Sequence, residues 1–155
     1  MTGFKVVEIA INEFGYTEMP PNSNQTKYGK WFGLDGMAWC GMFVSYCYAF
    51  AGVPLERIGF RKGFAGCQTA MAHFKKTGQI TANPQCGDIV FFDWNKDGRY
   101  DHTGIFIEWM DERKERFKTI EGNTSFTNNS NGGAVMYRER TIRNAIFVHP
   151  NVLDK

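Results

Sequence analysis

The sequence predicts an α+β order of elements: N-terminal helices packed on an antiparallel sheet of about five or six strands. Two observations carry the α+β part. Up to Gly78 apolar residues recur at helical spacing, and the segments end at glycines. After Gly87 the pattern changes to short β-rich runs separated by turn residues. Helices first and strands afterwards are the mark of an α+β domain rather than an alternating one. At 155 residues the chain reads as a single domain, 1–155.

The elements follow in order. FKVVEIAINEF, residues 4–14, puts Val6, Ile9, Ala10 and Phe14 on one helical face and stops at Gly15. TEMPPNSN is a loop by its paired prolines, and TKYGKWFGL holds a short helix broken by Gly33 and Gly36. Ala38 to Phe50, AWCGMFVSYCYAF, is apolar on nearly every side and is the buried central helix, closed by Gly52 and Pro54. CQTAMAHFKKTG is the next helix. DIVFFDW, TGIFIEWM, RFKTIEG, AVMYRER and NAIFVHP are five strand-like runs.

Composition excludes several classes. The 43% apolar and 15% aromatic content supports a real core and excludes disorder. A net charge of +2, with no basic run among aromatics, gives no sign of a nucleic-acid partner. No apolar stretch reaches the roughly 18 residues of a membrane span, so no membrane insertion is expected. The opening MTGFKVVEIAINEFGY has no signal-peptide pattern, so synthesis in a cytoplasm is expected. Cys40, Cys47, Cys67 and Cys86 form no C-x-x-C, which disfavours a structural zinc site. Most of them read as small buried hydrophobes.

Cys40 is the exception. It opens the buried helix after a glycine-bearing loop, where the helix dipole and unpaired N–H groups favour thiolate over thiol. Those N–H groups also suit a developing oxyanion. A buried structural cysteine is the competing reading. A thiolate nucleophile needs a base that can also protonate the leaving amine. Of three histidines, His73 is mid-helix and His149 precedes Pro150, whereas His102 follows a turn and opens a strand. Glu121 and Asn123, in TIEGNTS, stand at the end of the following strand and are candidates to orient the imidazole.

In this order AWCGMFVSYCY, GDIVFFDWNKDGRYDHTGIF and TIEGNTS resemble the CHAP domains of phage endolysins and bacterial cell-wall hydrolases, members of the papain-like superfamily. NSNQTKYGKWFGLDG resembles the approach to the nucleophile in that family, and the likeness spans residues 4 to 148. It implies a papain-like cysteine hydrolase with nucleophile Cys40, base His102, acidic partner Glu121 and asparagine Asn123. The implied substrate is bacterial peptidoglycan, cut as an N-acetylmuramoyl-L-alanine amidase or as an endopeptidase, by a monomer that reaches the wall after release. Cys86 departs from the family's usual proline before Gly-Asp. An inactive wall-binding module and an amidase of small soluble amides are the alternatives. The first expects a replaced site residue, and none is replaced.

DWNKDGRYD allows two readings. Asp93, Asn95, Asp97, Arg99 (by its carbonyl) and Asp101 match ligand positions of a calcium loop, but Gly104 stands where the closing Glu belongs. The other reading is an Asx- and glycine-rich hairpin turn. No cofactor is expected for the chemistry itself; a structural Ca2+ would steady the turn that delivers His102.

Overall fold

The computed structural model describes residues 2–155. Helix α1 (Thr2–Ile11) buries Val6, Val7 and Ala10 on one side. It stops earlier than the apolar pattern suggests, because residues 12–15 form turns and Gly15 donates its N–H to Val135 O at 3.0 Å. Helix α2 (Lys27–Phe32) is capped by Thr26, whose Oγ1 accepts from Gly29 N at 2.9 Å. It closes on Gly33 at φ 95°, the left-handed conformation that favours glycine. Helix α3 (Cys40–Phe50) starts at Cys40 itself, and Cys40 to Ser45, Cys47 and Tyr48 are all buried. It is the central helix the sequence predicts, in contact with α1 and α2 as well as with the sheet. Helix α4 (Cys67–Lys76) inserts Ala70, Met71 and Phe74 into the same core.

The sheet has six strands, all antiparallel: β1 (Ile80–Thr81), β2 (Ile89–Phe92), β3 (His102–Trp109), β4 (Arg116–Thr124), β5 (Ala134–Thr141) and β6 (Ala145–Val148). Their order is β1-β6-β2-β3-β4-β5. The five predicted runs are all strands, and β1 is the one the pattern missed. It is two residues long and exists by pairing Ile80 with Val148.

Alternation along the strands sorts two apolar layers. Ile89, Phe91, Ile105, Ile120, Val135 and Val148 join the core under the helices. Val90, Phe92, Phe106, Phe117 and Phe147 form a second cluster on the other face, bordered by Trp94, Trp109 and Ala145. Both faces are therefore dry, which is why β2 reads as a continuous apolar run rather than an alternating one. Gly122 is what lets α3 settle on β4. A Cβ there would lie 2.7 Å from the Phe43 Cβ and 2.9 Å from the Trp39 ring.

Candidate active site

The N-terminus of α3 and the first residue of β3 meet at one end of the sheet. Cys40 is 5% exposed and His102 is fully buried. The His102 ring, the Thr103 backbone and the Cys67 thiol are all near enough to Cys40 to act on its charge. His102 Nε2 lies 2.8 Å from Glu121 Oε1. Nδ1 is buried without a hydrogen-bond partner, so it is the ring nitrogen free to exchange a proton with Cys40. Trp39, the residue before α3, makes no side-chain cap, and the first turn carries no acid. The positive end of the helix is therefore uncompensated.

Register places His102, Glu121 and Arg140 on one face of the sheet. His102 pairs with Phe92, Arg140 pairs with Phe117, and Glu121 follows Phe117 by two steps of two. Arg140 grips Glu121 from behind: Nε donates to Oε2 at 2.9 Å and Nη2 to Oε1 at 2.6 Å. Thr119 Oγ1 donates to Oε2 at 2.6 Å. Glu121 thus has every oxygen occupied and no exposure. The Phe92 and Trp94 rings stack 4.6 Å apart. The Arg140 guanidinium lies over both, at 5.3 and 4.8 Å, and the His102 ring stacks beside them. This aromatic floor keeps water from the charged groups and strengthens their attraction. Gly104 is required by the same packing, since a Cβ there would be 2.5 Å from Glu121 Cγ.

The electrostatics follow from these contacts. Cys40 is held well below the ordinary thiol value by its hydrogen bond with Cys67. Burial opposes this, and the bond and charge of His102 add to it. Burial pushes His102 down, but the Glu121 charge and the bonds to Cys40 and Glu121 outweigh it and raise the ring to about 9. Burial likewise works against the Glu121 carboxylate, yet His102 and Arg140 bring it down to about 2. Near neutrality the site is a thiolate, an imidazolium and a carboxylate in a line, anchored by a guanidinium. Such a set can attack a carbonyl and hand a proton to a leaving group.

Cys40, His102 and Glu121 are thus brought together, while the Asn123 amide makes its hydrogen bonds elsewhere. Strict alternation would set Asn123 beside Glu121, but β4 bulges between Glu121 and Thr124 and Asn123 takes φ 59°. Its amide is spent on the neighbouring loop, with Oδ1 accepting from Gly133 N at 3.0 Å and Nδ2 donating to Asn131 at 3.1 Å. Glu121, with no hydrogen bond from Asn123, orients the ring. Arg140, which grips Glu121, is the neighbour of this site that no local sequence pattern reveals. His73 lies 3.3 Å from Glu56, and His149 is clasped between Asp88 and Asp154 at 2.6 and 2.8 Å, both away from Cys40.

The loop before β3 folds on its own amides. Asp93 accepts from Asp97 N and Gly98 N at 3.2 and 2.8 Å, Asp97 from Arg99 N at 2.9 Å, and Asp101 from Trp94 N at 2.8 Å. Among the described residues no group of three or more His, Cys, Asp or Glu side chains is arranged to hold a metal ion. The acid side chains of the loop are instead engaged by its own backbone amides. They act as the Asx turn that ends in His102. No helix among the described residues is long and apolar enough to cross a membrane. A concavity of about 660 Å³ between Glu115, Arg116 and residues 141–144 lies at the far end of β4 and β5, and its lining has no cysteine or histidine.

A helix-borne thiol against a strand-borne imidazole, backed by a carboxylate, defines a papain-like cysteine hydrolase. Within that class the chain belongs to the CHAP domain family, whose model matches residues 32–123, well over half of its length and inclusive of Cys40, His102 and Glu121. No curated protein matches the chain.

Proposed function

We propose that the protein is a peptidoglycan hydrolase of the endolysin type, cutting an amide bond of the bacterial wall with Cys40 as nucleophile. The observation that carries this reading is the buried His102 ring, held at 2.8 Å by Glu121 and with its other nitrogen unpartnered, next to Cys40 in a CHAP domain. The Cys40 thiolate attacks the amide carbonyl carbon, and the oxygen takes the negative charge beside the uncapped amides of α3. His102 gives its Nδ1 proton to the nitrogen, the C–N bond breaks, and the amine leaves. Water then attacks the thioester while His102 takes one of its protons, and the acid product departs from a restored thiolate. Glu121 holds the ring so that Nδ1 faces the sulfur throughout.

An inactive wall-binding module has no need of a buried carboxylate gripped by arginine, nor of a thiol shifted toward thiolate. Both are expensive to maintain without a reaction to serve. The test is digestion of purified walls followed by mass spectrometry of the fragments. An endopeptidase creates new peptide N-termini, and a muramoyl-alanine amidase frees the whole stem peptide from the glycan. Release of neither, with activity on small soluble amides instead, would sink the wall assignment while leaving the nucleophile in place.

A further inference from the structure

The end of β4 serves both halves of the dyad. Glu121 turns to His102, whereas the two residues after it serve the helix that carries Cys40. Gly122 leaves room for the ring of Trp39, the residue that leads into α3. That indole is fully buried and stacks on Tyr28 at 5.4 Å. Its Nε1 donates to Glu18 Oε1 at 3.1 Å, and Glu18 is itself only 6% exposed. Burying a carboxylate carries a cost that a merely space-filling side chain would avoid. Residues 15–18 run beside 133–135: Gly15 N donates to Val135 O at 3.0 Å, Val135 N to Tyr16 O at 2.9 Å and Glu18 N to Gly133 O at 2.9 Å. Gly133 takes φ 85°, and a Cβ there would press on Glu18 Cδ at 3.1 Å. Gly133 N in turn donates to Asn123 Oδ1 at 3.0 Å. The contacts close a circuit. Asn123 holds Gly133, Gly133 holds Glu18, Glu18 holds Trp39, and Trp39 packs on Gly122 beside Asn123.

We propose that Glu18 and Asn123 are positioning residues for the nucleophile: through Gly133 and the Trp39 indole they fix the start of α3, and so the Cys40 sulfur, against the end of β4. The proposal rests on Cys40 being the nucleophile. Trp39 makes no side-chain cap of its own, and its carbonyl accepts from Phe43 N at 2.9 Å, in the first turn of the helix. Where the indole is held is therefore where the helix begins. A displacement of about 1 Å between reacting groups can cost about a hundredfold in rate. The circuit gives Asn123 a task distinct from that of Glu121, although only Gly122 separates them. Glu121 holds the imidazole side of the dyad, and Asn123 holds the thiol side.

That division sets the experiment. The rate of Cys40 alkylation by iodoacetamide, which reads the thiolate that His102 sustains, is measured at neutral pH by mass spectrometry of the Cys40 peptide in the whole chain. Glu18→Met removes the acceptor for the indole at similar volume, and Glu18→Gln keeps one. Asn123→Gly removes the amide and suits the φ of 59° at that position, and Asn123→Asp keeps an acceptor for Gly133. Glu18→Met and Asn123→Gly should each slow alkylation about tenfold, with the glutamine and aspartate proteins near the parent. The double variant Glu18→Met, Asn123→Gly should be scarcely slower than either single one, because both act through one circuit. In a Glu121→Gln background Asn123→Gly should still cost its full factor. Multiplied losses in the double variant would overturn the proposal, as would an Asn123→Gly effect that vanishes once Glu121 is changed. A purely structural role would lower the melting temperature and leave alkylation of the folded protein at the parental rate, which would overturn it too. The alkylation readout does not depend on wall lysis. If alkylated protein still lyses walls, it is the nucleophile assignment that fails, separately from the circuit.

Discussion

Arg140 reaches both carboxylate oxygens of Glu121, with Nε 2.9 Å from one and Nη2 2.6 Å from the other, and both side chains are buried. Removing one partner of such a pair strands the other charge in a dry site, at a cost of about 3–5 kcal/mol. Arg140→Met should therefore lower stability by roughly that amount in denaturant titrations. Arg140→Lys should recover only part of it, because an ammonium cannot make the two-pronged contact. A stable and fully active Arg140→Met protein would show that Glu121 keeps its place without help.

Cys40→Ala and His102→Ala should each lower wall lysis by several orders of magnitude, and the double variant should be scarcely worse, because the two residues act as a unit. Their circular dichroism should match the parent's. Cys47 is fully buried in the core on the same helix, so Cys47→Ser should cost stability rather than turnover. A Cys40→Ala protein that kept a percent or so of the parental rate would have another nucleophile.

Gly104→Ala adds a methyl group 2.5 Å from Glu121 Cγ. Either the carboxylate or the strand has to yield. The expected result is a loss of about 1–3 kcal/mol of stability together with a larger fall in kcat than in 1/KM. An unchanged kcat would mean that the Glu121–His102 contact tolerates displacement.

The pH dependence has a definite sign. The reactive thiolate–imidazolium pair exists between the lowered Cys40 value and the His102 value of about 9. The rate should thus be flat through neutrality and fall on an alkaline limb near 9. For stability, His102 is raised on folding, so its contribution is complete below the unfolded value of 6.5 and is lost as pH climbs through about 9. Glu121 is lowered, so its contribution is present above 4.5 and is lost as pH falls toward 2. Rate profiles of parent and Glu121→Gln check both: with glutamine the alkaline limb should move to lower pH.

What the sequence disclosed depended on whether a signal was local. Cys40 at a helix start, His102 at a strand start and Glu121 at a strand end are each written in a few adjacent residues. Arg140 is not. AVMYRER reads as an ordinary edge strand, and only the pairing of Arg140 with Phe117 shows that it faces Glu121. Alternation also does not anticipate the bulge that turns the Asn123 amide to the neighbouring loop. Cys67 also has a local signature: like Cys40 it opens a helix, here directly after a glycine. β1 has too few residues to show a period, and it owes its existence to β6.

The order of the sheet also governs when this machine can exist. β6, residues 145–148, lies between β1 and β2, which are made long before it. On a ribosome the nucleophile helix and the histidine strand emerge early, and the residues matched by the family end at 123. The arginine that anchors Glu121 and the strand that joins β1 to the rest come later. Until residue 148 is free, β1 has no neighbour and β2 has an open edge, a surface that invites pairing with other chains. The nascent chain is therefore unarmed and at its most vulnerable for the same reason, and synthesis ends both conditions within a few residues of each other.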